Sequence, residues 1–202
     1  LNSYNFYFCE MLSINQKVDL LFSSNSSVYI KREDLIHPIV SGNKFRKLKY
    51  NIVQAKVENK TQLLTFGGAY SNHIAAVAYA AKENSFRSIG IIRGDELKSK
   101  INDNPTLRIE KKCGMEFDFV SREGYRLKEE RTFVENLKQK FGDFYLIPEG
   151  GTNELAIKGC EEILTQDDEI FNYICCSVGT GGTISGLINS LKPNQKVLGF
   201  PS

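Results

Sequence analysis

The most constraining feature of this sequence is a regular alternation between short apolar runs and longer amphipathic segments. Runs such as residues 63–66 (LLTF) and 88–92 (SIGII) have the length and composition of buried strands, and helix-length segments separate them. Strands alternating with helices of about 10–15 residues are typical of parallel sheets with right-handed crossovers. The sequence therefore predicts an α/β fold. The predicted strands cover residues 28–31, 63–66, 88–92, 117–120, 145–147, 173–177 and 196–200.

The predicted helices cover residues 45–57, 72–83, 105–113, 125–141, 154–164 and 183–191. Asn104 and Pro105 are a favourable N-cap and first helical residue, and Gly114 suits the left-handed position after a helix. The last predicted strand has the apolar pattern of a strand buried on both faces, and such a strand needs covering helices. We therefore expect the chain to be part of a longer protein whose C-terminal part is missing.

The composition excludes several classes of protein. Lys and Arg number 26 against 24 Asp and Glu, a formal net charge of +2, which gives no reason to expect a nucleic-acid partner. No run of about 18 apolar residues is present, so no membrane span is predicted. The five cysteines are scattered and lack the spacing of a zinc site, so we expect no metal site and a cytoplasmic location with reduced thiols. The N-terminal residues lack the pattern of a signal peptide.

The first loop that could carry chemistry is residues 41–44 (SGNK), between a strand and a basic amphipathic helix. Lys44 follows a Gly-Asn turn at the start of the helix, where the positive end of the helix dipole favours its neutral amine. A neutral amine is what Schiff-base formation requires. The alternative is a solvated lysine among the basic residues at 46, 47 and 49, and for this loop alone that alternative is favoured.

The second loop is residues 67–73 (GGAYSNH), which follows a strand and opens a helix. Its glycines let the backbone approach a ligand, and the free N–H groups of the helix start can hold a carboxylate. Ser71 adds a hydroxyl and Asn72 an amide donor, although both residues are also ordinary N-caps. His73 is interpreted as a hydrogen-bonded residue rather than a catalyst, because only His37 could join it in a metal site.

The third loop is residues 177–183 (SVGTGGT), again between a strand and a helix. Unhindered N–H groups, two threonine hydroxyls and a helix dipole make it the best anion-binding loop in the chain. It is not a Walker A loop, and a dinucleotide fingerprint would need glycine where Ile184 stands. A single phosphate is therefore the better ligand.

A fourth turn, residues 149–153 (EGGTN), precedes another predicted helix. We interpret it mainly as a helix-leading turn capped by Thr152 or Asn153. The alternative is that it lines the same cleft as the three loops above.

A lysine able to form an imine, a phosphate-binding loop and a helix start for a carboxylate together indicate pyridoxal 5'-phosphate. Five stretches resemble the 1-aminocyclopropane-1-carboxylate deaminase / D-cysteine desulfhydrase family, which belongs to the tryptophan-synthase-β-like (fold type II) pyridoxal-phosphate enzymes. They are KREDLIHPIVSGNKFRKLKYNI, TFGGAYSNHIAAVA, NPTLR, IPEGGTNELAIKG and SVGTGGTISGL. The resemblance runs collinearly through nearly the whole chain. It implies two open, twisted, mostly parallel sheets flanked by helices.

The resemblance also implies roles for individual residues. Lys44 would bind the cofactor covalently, and Asn72 would hydrogen-bond its ring oxygen. Ser71, with the backbone of Asn72 and His73, would face the substrate carboxylate and the reacting carbon. The phosphate would be held by Gly179, Thr180, Gly181, Gly182 and Thr183.

Two domains are implied as well. Residues 1–46 and 157–202 would belong to a larger, cofactor-binding domain that is incomplete here, and residues 47–156 would form a smaller α/β domain. The family also suggests a homodimer.

The implied activity is a deamination or elimination on a small amino acid. D-cysteine would give pyruvate, sulfide and ammonia after loss of the α-proton and the thiol, with Lys44 as the base. The cyclopropane substrate has no α-proton, so its ring must be opened by a nucleophile, for which Ser71 is a candidate, or by removal of a β-proton. Of the two, the D-cysteine type is favoured.

Three alternative functions can be compared with this one. Another fold type II amino-acid lyase or synthase is disfavoured by the pairing of GNK with SNH. An inactive pyridoxal-phosphate-binding paralogue is disfavoured because Lys44, Ser71 and Asn72 are all retained. A nicotinamide-binding protein fails on the glycine spacing described above.

Overall fold

The computed structural model describes residues 13–19, 26–37, 39–40 and 42–201. Ser41 and the N-terminal residues used to assess a signal peptide therefore lie outside the described residues. In chain order the strands are β1 (Asn15–Val18), β2 (Val28–Lys31), β3 (Gln62–Gly68), β4 (Arg87–Arg93), β5 (Glu116–Val120), β6 (Tyr145–Ile147), β7 (Tyr173–Val178) and β8 (Lys196–Pro201). The helices are α1 (Asn43–Val57), α2 (Asn72–Glu83), α3 (Pro105–Lys112), α4 (Arg122–Arg126), α5 (Arg131–Phe141), α6 (Glu154–Cys160) and α7 (Gly182–Ser190).

The central layer is a four-stranded parallel sheet in the order β5-β4-β3-β6. Successive residues of β3 point to opposite faces, so Leu63 enters one hydrophobic cluster and Leu64 the other. The Leu63 cluster is completed by apolar residues of α1, α2 and α3, whereas the Leu64 cluster contains Tyr125 of α4 and Leu137 of α5. Helices thus cover both faces, as a parallel sheet requires.

A second parallel pair, β7 with β8, and an antiparallel pair, β1 with β2, lie outside the central sheet. One face of the β7–β8 pair packs against α6 and α7 through a small cluster that includes Cys160 and Leu187. The other face is exposed, and Phe200 is 56% accessible. The described residues thus cover only one face of the last strand with helices, so its burial on both faces in the longer protein stays a prediction.

Helix α1 packs closely against α6. A Cβ on Gly159 of α6 would lie 1.9 Å from the backbone oxygen of Arg46, so only glycine permits this approach. Gly186 of α7 is equally restricted, because its Cβ would lie 2.5 Å from the Cβ of Cys160. Both α1 and α7 therefore contact α6, and this packing brings their N-terminal ends near the same point.

The element predictions are confirmed except at three places. The single helix predicted over residues 125–141 is two helices, because Ser121 caps α4 by accepting from the Gly124 N–H at 3.0 Å and the backbone turns extended at Glu130 before α5. The helix predicted to end at 164 ends at Cys160. Strand β1 was not predicted, since its sequence NQKV shows no apolar alternation.

Candidate active site

Lys44 lies at the second position of α1, directly after the turn at Gly42, whose φ of 61° favours glycine. Its Nζ donates to the backbone oxygen of Gly150 at 3.2 Å. Burial, followed by the positive charge of Lys47, lowers the pKa of Lys44 to about 8. The predicted neutral amine is thus accessible near neutral pH, and burial contributes to it more than the neighbouring charge.

Lys47 is buried in the same place, with only 2% of its surface accessible. Its Nζ donates to Gly150 O at 3.2 Å, to Thr152 Oγ1 at 3.0 Å and to Thr180 Oγ1 at 3.4 Å. The sequence analysis treated Lys47 only as a solvated basic residue. The i, i+3 spacing from Lys44, which places both side chains on one helix face, was the signal that could have found it.

The loop of residues 179–183 begins helix α7. Gly181 adopts a left-handed conformation with φ of 83°, and a Cβ there would meet no atom within 4 Å. A Cβ on Gly182 would instead lie 2.9 Å from the Thr152 side chain and 3.2 Å from Lys47 Nζ. Asn43 Nδ2 donates to Thr183 Oγ1 at 2.8 Å, which ties this helix start to that of α1. Two threonine hydroxyls, a buried ammonium and the first N–H groups of α7 therefore converge.

The loop of residues 67–73 places Ser71 as the N-cap of α2, where its Oγ accepts from the Ile74 N–H at 3.4 Å. Gly67 makes room for this cap, because its Cβ would lie 2.7 Å from the Ile74 side chain and 3.0 Å from Ser71 Oγ. Asn72 is exposed at the first helical position, and His73 is buried. Ser71 is therefore the predicted N-cap of α2. The residues that the resemblance assigns to the substrate carboxylate lie at this same helix start.

His73 has one ring nitrogen in a fixed hydrogen bond and one without a partner. Thr65 Oγ1 donates to the backbone oxygen of Ile147 at 2.9 Å, so at its 2.8 Å contact with His73 Nε2 it is the acceptor. Nε2 therefore carries the proton, and the buried Nδ1 has no hydrogen-bond partner among the described residues. Burial, followed by the charges of Lys44 and Lys47, lowers the pKa of His73 to about 3, which keeps the ring neutral.

The turn of residues 149–153 connects the other three loops. A Cβ on Gly151 would lie 3.0 Å from His73 Cε1, and one on Gly150 would lie 2.8 Å from Thr180 Cγ2. Asn153 caps α6 by accepting from the Ala156 N–H at 2.9 Å and also exchanges hydrogen bonds with the buried Asn51. The interpretation as a capped turn is thus correct, and the alternative that the turn lines the cleft is also supported by these contacts.

Comparison with known proteins identifies the class. The profile of the family described as pyridoxal-phosphate dependent enzymes matches residues 17–200. The chain belongs to this family, so the predicted cofactor class is confirmed.

Individual relatives narrow the resemblance. The chain is 37% identical over 168 residues to a Thermotoga maritima protein provisionally named 1-aminocyclopropane-1-carboxylate deaminase, covering 80% of this chain and 53% of that protein. It is 30% identical over 181 residues to the bifunctional D-cysteine desulfhydrase/1-aminocyclopropane-1-carboxylate deaminase, mitochondrial, of Arabidopsis thaliana, covering 81% of this chain and 45% of the relative. The chain thus spans about half the length of these curated relatives.

A solved structure agrees with the sequence relatives. The crystal structure of an ACC deaminase homologue matches with a TM-score of 0.77 at 27% identity, covering 95% of this chain and 61% of that chain. The predicted family resemblance and fold class are confirmed. Within the described residues, no helix is long and apolar enough to cross a membrane, and no group of three or more candidate ligands could hold a metal ion.

Proposed function

We propose that the protein containing this chain is a pyridoxal-phosphate-dependent deaminase or lyase acting on a small amino acid. Its reaction would be either D-cysteine to pyruvate, sulfide and ammonia or 1-aminocyclopropane-1-carboxylate to 2-oxobutanoate and ammonia. The observation that carries this proposal is the position of Lys44, whose amine has a pKa of about 8 and donates to Gly150 O. That same oxygen accepts from Lys47, which also reaches the anion-binding loop at Thr180.

The residues present fit pyridoxal 5'-phosphate. Lys44 would hold the cofactor covalently through Nζ, and Asn72 would hydrogen-bond its ring oxygen. The open space at the Cβ position of Gly181 and the ammonium of Lys47 suit a phosphate held by residues 179–183. When bound, the cofactor supplies an electron sink for the bond that is broken in the amino acid.

The chain's own residues would divide the remaining work. The start of α2 binds the substrate carboxylate through Ser71 and the backbone N–H groups of Asn72 and His73, assisted by the helix dipole. Lys44 removes and returns a proton at the α- or β-carbon, which a pKa near 8 allows. The His73 ring is neutral, with its proton on Nε2. It therefore contributes its backbone N–H to the carboxylate and no positive charge of its own.

The choice between the two substrates follows from the proton that must be removed. D-cysteine needs only a base at the α-carbon, which Lys44 provides. The cyclopropane substrate needs ring opening, for which Ser71 is the candidate in this chain. We favour the D-cysteine type. Another fold type II lyase or synthase, and an inactive cofactor-binding paralogue, are the alternatives that the experiment below must exclude.

The remaining proposals concern organisation. We propose that residues 1–46 and 157–202 contribute to a larger cofactor-binding domain and residues 47–156 form a smaller one. The separate β7–β8 pair and the central four-stranded sheet support this division. A cytoplasmic homodimer is proposed from the family resemblance.

The test uses the full-length protein loaded with pyridoxal 5'-phosphate. Borohydride reduction followed by peptide mass analysis should place the pyridoxyl group on Lys44, and the protein should release ammonia from D-cysteine or from the cyclopropane amino acid. Lys44→Ala should lose turnover, whereas Ser71→Ala should keep the cofactor absorption and lose most activity. A pyridoxyl group on another lysine would refute the site. A loaded protein that acts on neither amino acid would favour an alternative lyase if other amino acids react, and the inactive paralogue if none does.

A further inference from the structure

The turn of residues 149–152 presents one backbone oxygen to both lysines of the site. Gly150 O accepts from Lys44 Nζ at 3.2 Å and from Lys47 Nζ at 3.2 Å. Gly150 has a φ of 68° and the following Gly151 a φ of 75°. Because these glycines have no side chains to anchor the turn, the direction in which the Gly150 oxygen points depends on the residues on either side.

The C-terminal side of the turn is held by Thr152. Its Oγ1 accepts from Lys47 Nζ at 3.0 Å and shares a hydrogen bond with Thr180 Oγ1. These contacts belong to the anion-binding loop already described. The N-terminal side of the turn is Glu149, to which the proposed function gives no role.

Glu149 is anchored by a lysine of the segment between α4 and α5. Its Oε2 lies 3.4 Å from the Nζ of Lys128, whose side chain is only 18% accessible. The same Nζ lies 5.3 Å from the ring centroid of the buried Tyr125. The ion pair thus forms against a buried ring, where solvent and salt screen it less than they screen a pair on an open surface.

Tyr125 connects this ion pair to the core of the central sheet. Its hydroxyl is buried with no hydrogen-bond partner among the described residues. Burial, followed by the nearby carboxylate of Glu149, raises the pKa of Tyr125. The ring packs edge-on against Phe66 of β3, with 6.2 Å between the ring centroids. The core therefore supports Glu149 through Tyr125 and Lys128, and the next residue in the chain carries the oxygen that binds Lys44.

We infer that Glu149 is a positioning residue whose ion pair with Lys128 fixes the turn that carries the Gly150 oxygen. That oxygen in turn holds the amine of Lys44. Glu149 acts only through this oxygen and takes no part in the proton transfers. The inference rests on the proposed function, because it takes Lys44 to be the residue that binds the cofactor.

The hydrogen bond to Gly150 O has a measurable effect on Lys44. An oxygen acceptor stabilises the ammonium form, so losing this acceptor should lower the pKa of Lys44. Besides burial, this pKa responds to Lys47 on α1, which lowers it, and to Cys160 on α6, which raises it. On α2, the pKa of His73 responds to burial and then to Lys44. All of these neighbours are kept in the variants below.

An effect of charge and an effect of position predict different results. By charge alone, removing the negative Glu149 would lower the pKa of Lys44, whereas removing the positive Lys128 would raise it. Loss of position predicts a lower pKa in both cases, because either change releases the turn. A loss of stability alone would leave this pKa where it is.

The experiment measures the pH dependence of cofactor uptake by the full-length protein after its cofactor has been removed. Stopped-flow absorption follows the reaction with pyridoxal 5'-phosphate, and the midpoint of the rate profile reports the neutral amine of Lys44. Glu149→Gln and Lys128→Met should each lower this midpoint by at least about 0.5 pH unit, since a hydrogen bond to a charged group shifts a pKa by about one unit.

Two further variants serve as controls. Glu129 is a second carboxylate near Lys128, at 3.7 Å and on an exposed side chain. Glu129→Gln therefore removes the same charge without touching the turn and should keep the wild-type midpoint. The exchanged pair, Glu149→Lys with Lys128→Glu, rebuilds the ion pair and should restore most of the wild-type midpoint. Thermal unfolding verifies the fold of each variant, and Lys128→Gln replaces Lys128→Met if the latter does not fold.

Three results would overturn the inference. They are shifts of opposite sign in Glu149→Gln and Lys128→Met, an unchanged midpoint in either variant, and a shift in Glu129→Gln as large as that in Glu149→Gln. In each case the proposed function stands, provided that borohydride labels Lys44. If borohydride labels another lysine, the proposed function fails and the inference fails with it.

Discussion

Glu110 of α3 is fully buried, and neither of its carboxyl oxygens has a hydrogen-bond partner among the described residues. Burial raises the pKa of Glu110 from its ordinary value of 4.5 to about 8. Because this pKa is higher in the folded protein than in the unfolded chain, folding favours the protonated form. The stability contributed by the neutral carboxyl is fully present below pH 4.5 and is lost as the pH rises to about 8.

The magnitude follows from about 1.4 kcal/mol for each pKa unit. Ionisation of Glu110 should reduce the free energy of unfolding by about 3 kcal/mol at pH 7 and by about 5 kcal/mol above pH 8. Glu110→Met replaces the carboxyl with an apolar group of similar length, so its free energy of unfolding should not carry this pH dependence. Its stability advantage over the wild type should be about 3 kcal/mol larger at pH 8.5 than at pH 5.5.

The assay is urea unfolding followed by circular dichroism at the two pH values. Glu110→Gln, which keeps the shape and cannot ionise, should show the same change between the two pH values even though its absolute stability differs. Glu129→Met, at an exposed position, should show no such change. If the difference between wild type and Glu110→Met is the same at both pH values, the carboxylate is not buried without a partner and the reasoning is wrong.

Three further predictions concern the site and its support. Uptake of pyridoxal 5'-phosphate by the apoprotein should accelerate with pH and be half-maximal near pH 8, because the neutral amine of Lys44 is the attacking group; stopped-flow absorption measures this. Thr65→Val should lower the free energy of unfolding by about 1–3 kcal/mol, because it leaves His73 Nε2–H buried without an acceptor. Gly159→Ala should destabilise the protein and weaken cofactor binding, because a Cβ would lie 1.9 Å from Arg46 O and push α6 from α1.

Two of these three predictions have control variants in the same chain. Thr61→Val changes an exposed threonine and should leave stability within about 0.5 kcal/mol of the wild type. Gly68→Ala introduces a Cβ with no neighbour closer than 3.7 Å, so it should be far milder than Gly159→Ala in thermal unfolding. An uptake rate that does not change with pH would contradict the assignment of Lys44.

The parallel α/β organisation was predictable because strand and helix periodicities are local properties of the sequence. The anion-binding loop and the Ser71 cap were predictable for the same reason, since each combines glycines and hydroxyls within seven residues. The position of Lys47 on the same helix face as Lys44 was predictable from the i, i+3 spacing, but its burial was not. Its burial depends on Thr152 and Thr180, more than 100 residues away along the chain, and no local pattern encodes such a contact.

Two features of the structure that the sequence did not predict have identifiable physical causes. The segment predicted as one helix over residues 125–141 is two helices, because Tyr125 packs edge-on against Phe66 in the core and the backbone becomes extended at Glu130 before α5 begins. Glu110 carries no signal at all in the sequence, because a glutamate within a basic helix is normally solvated. Its burial is visible only once α3 is packed against α2.

The contacts of Lys47 have a consequence for how the site meets a ligand. The Nζ of this lysine is held by three oxygen atoms on two loops of the protein itself. The rotamer entropy of its long side chain is therefore lost when the protein folds and need not be lost again on binding. The phosphate group would thus encounter a preorganised cation, so affinity at this position depends on the integrity of the 149–152 turn as much as on the lysine itself.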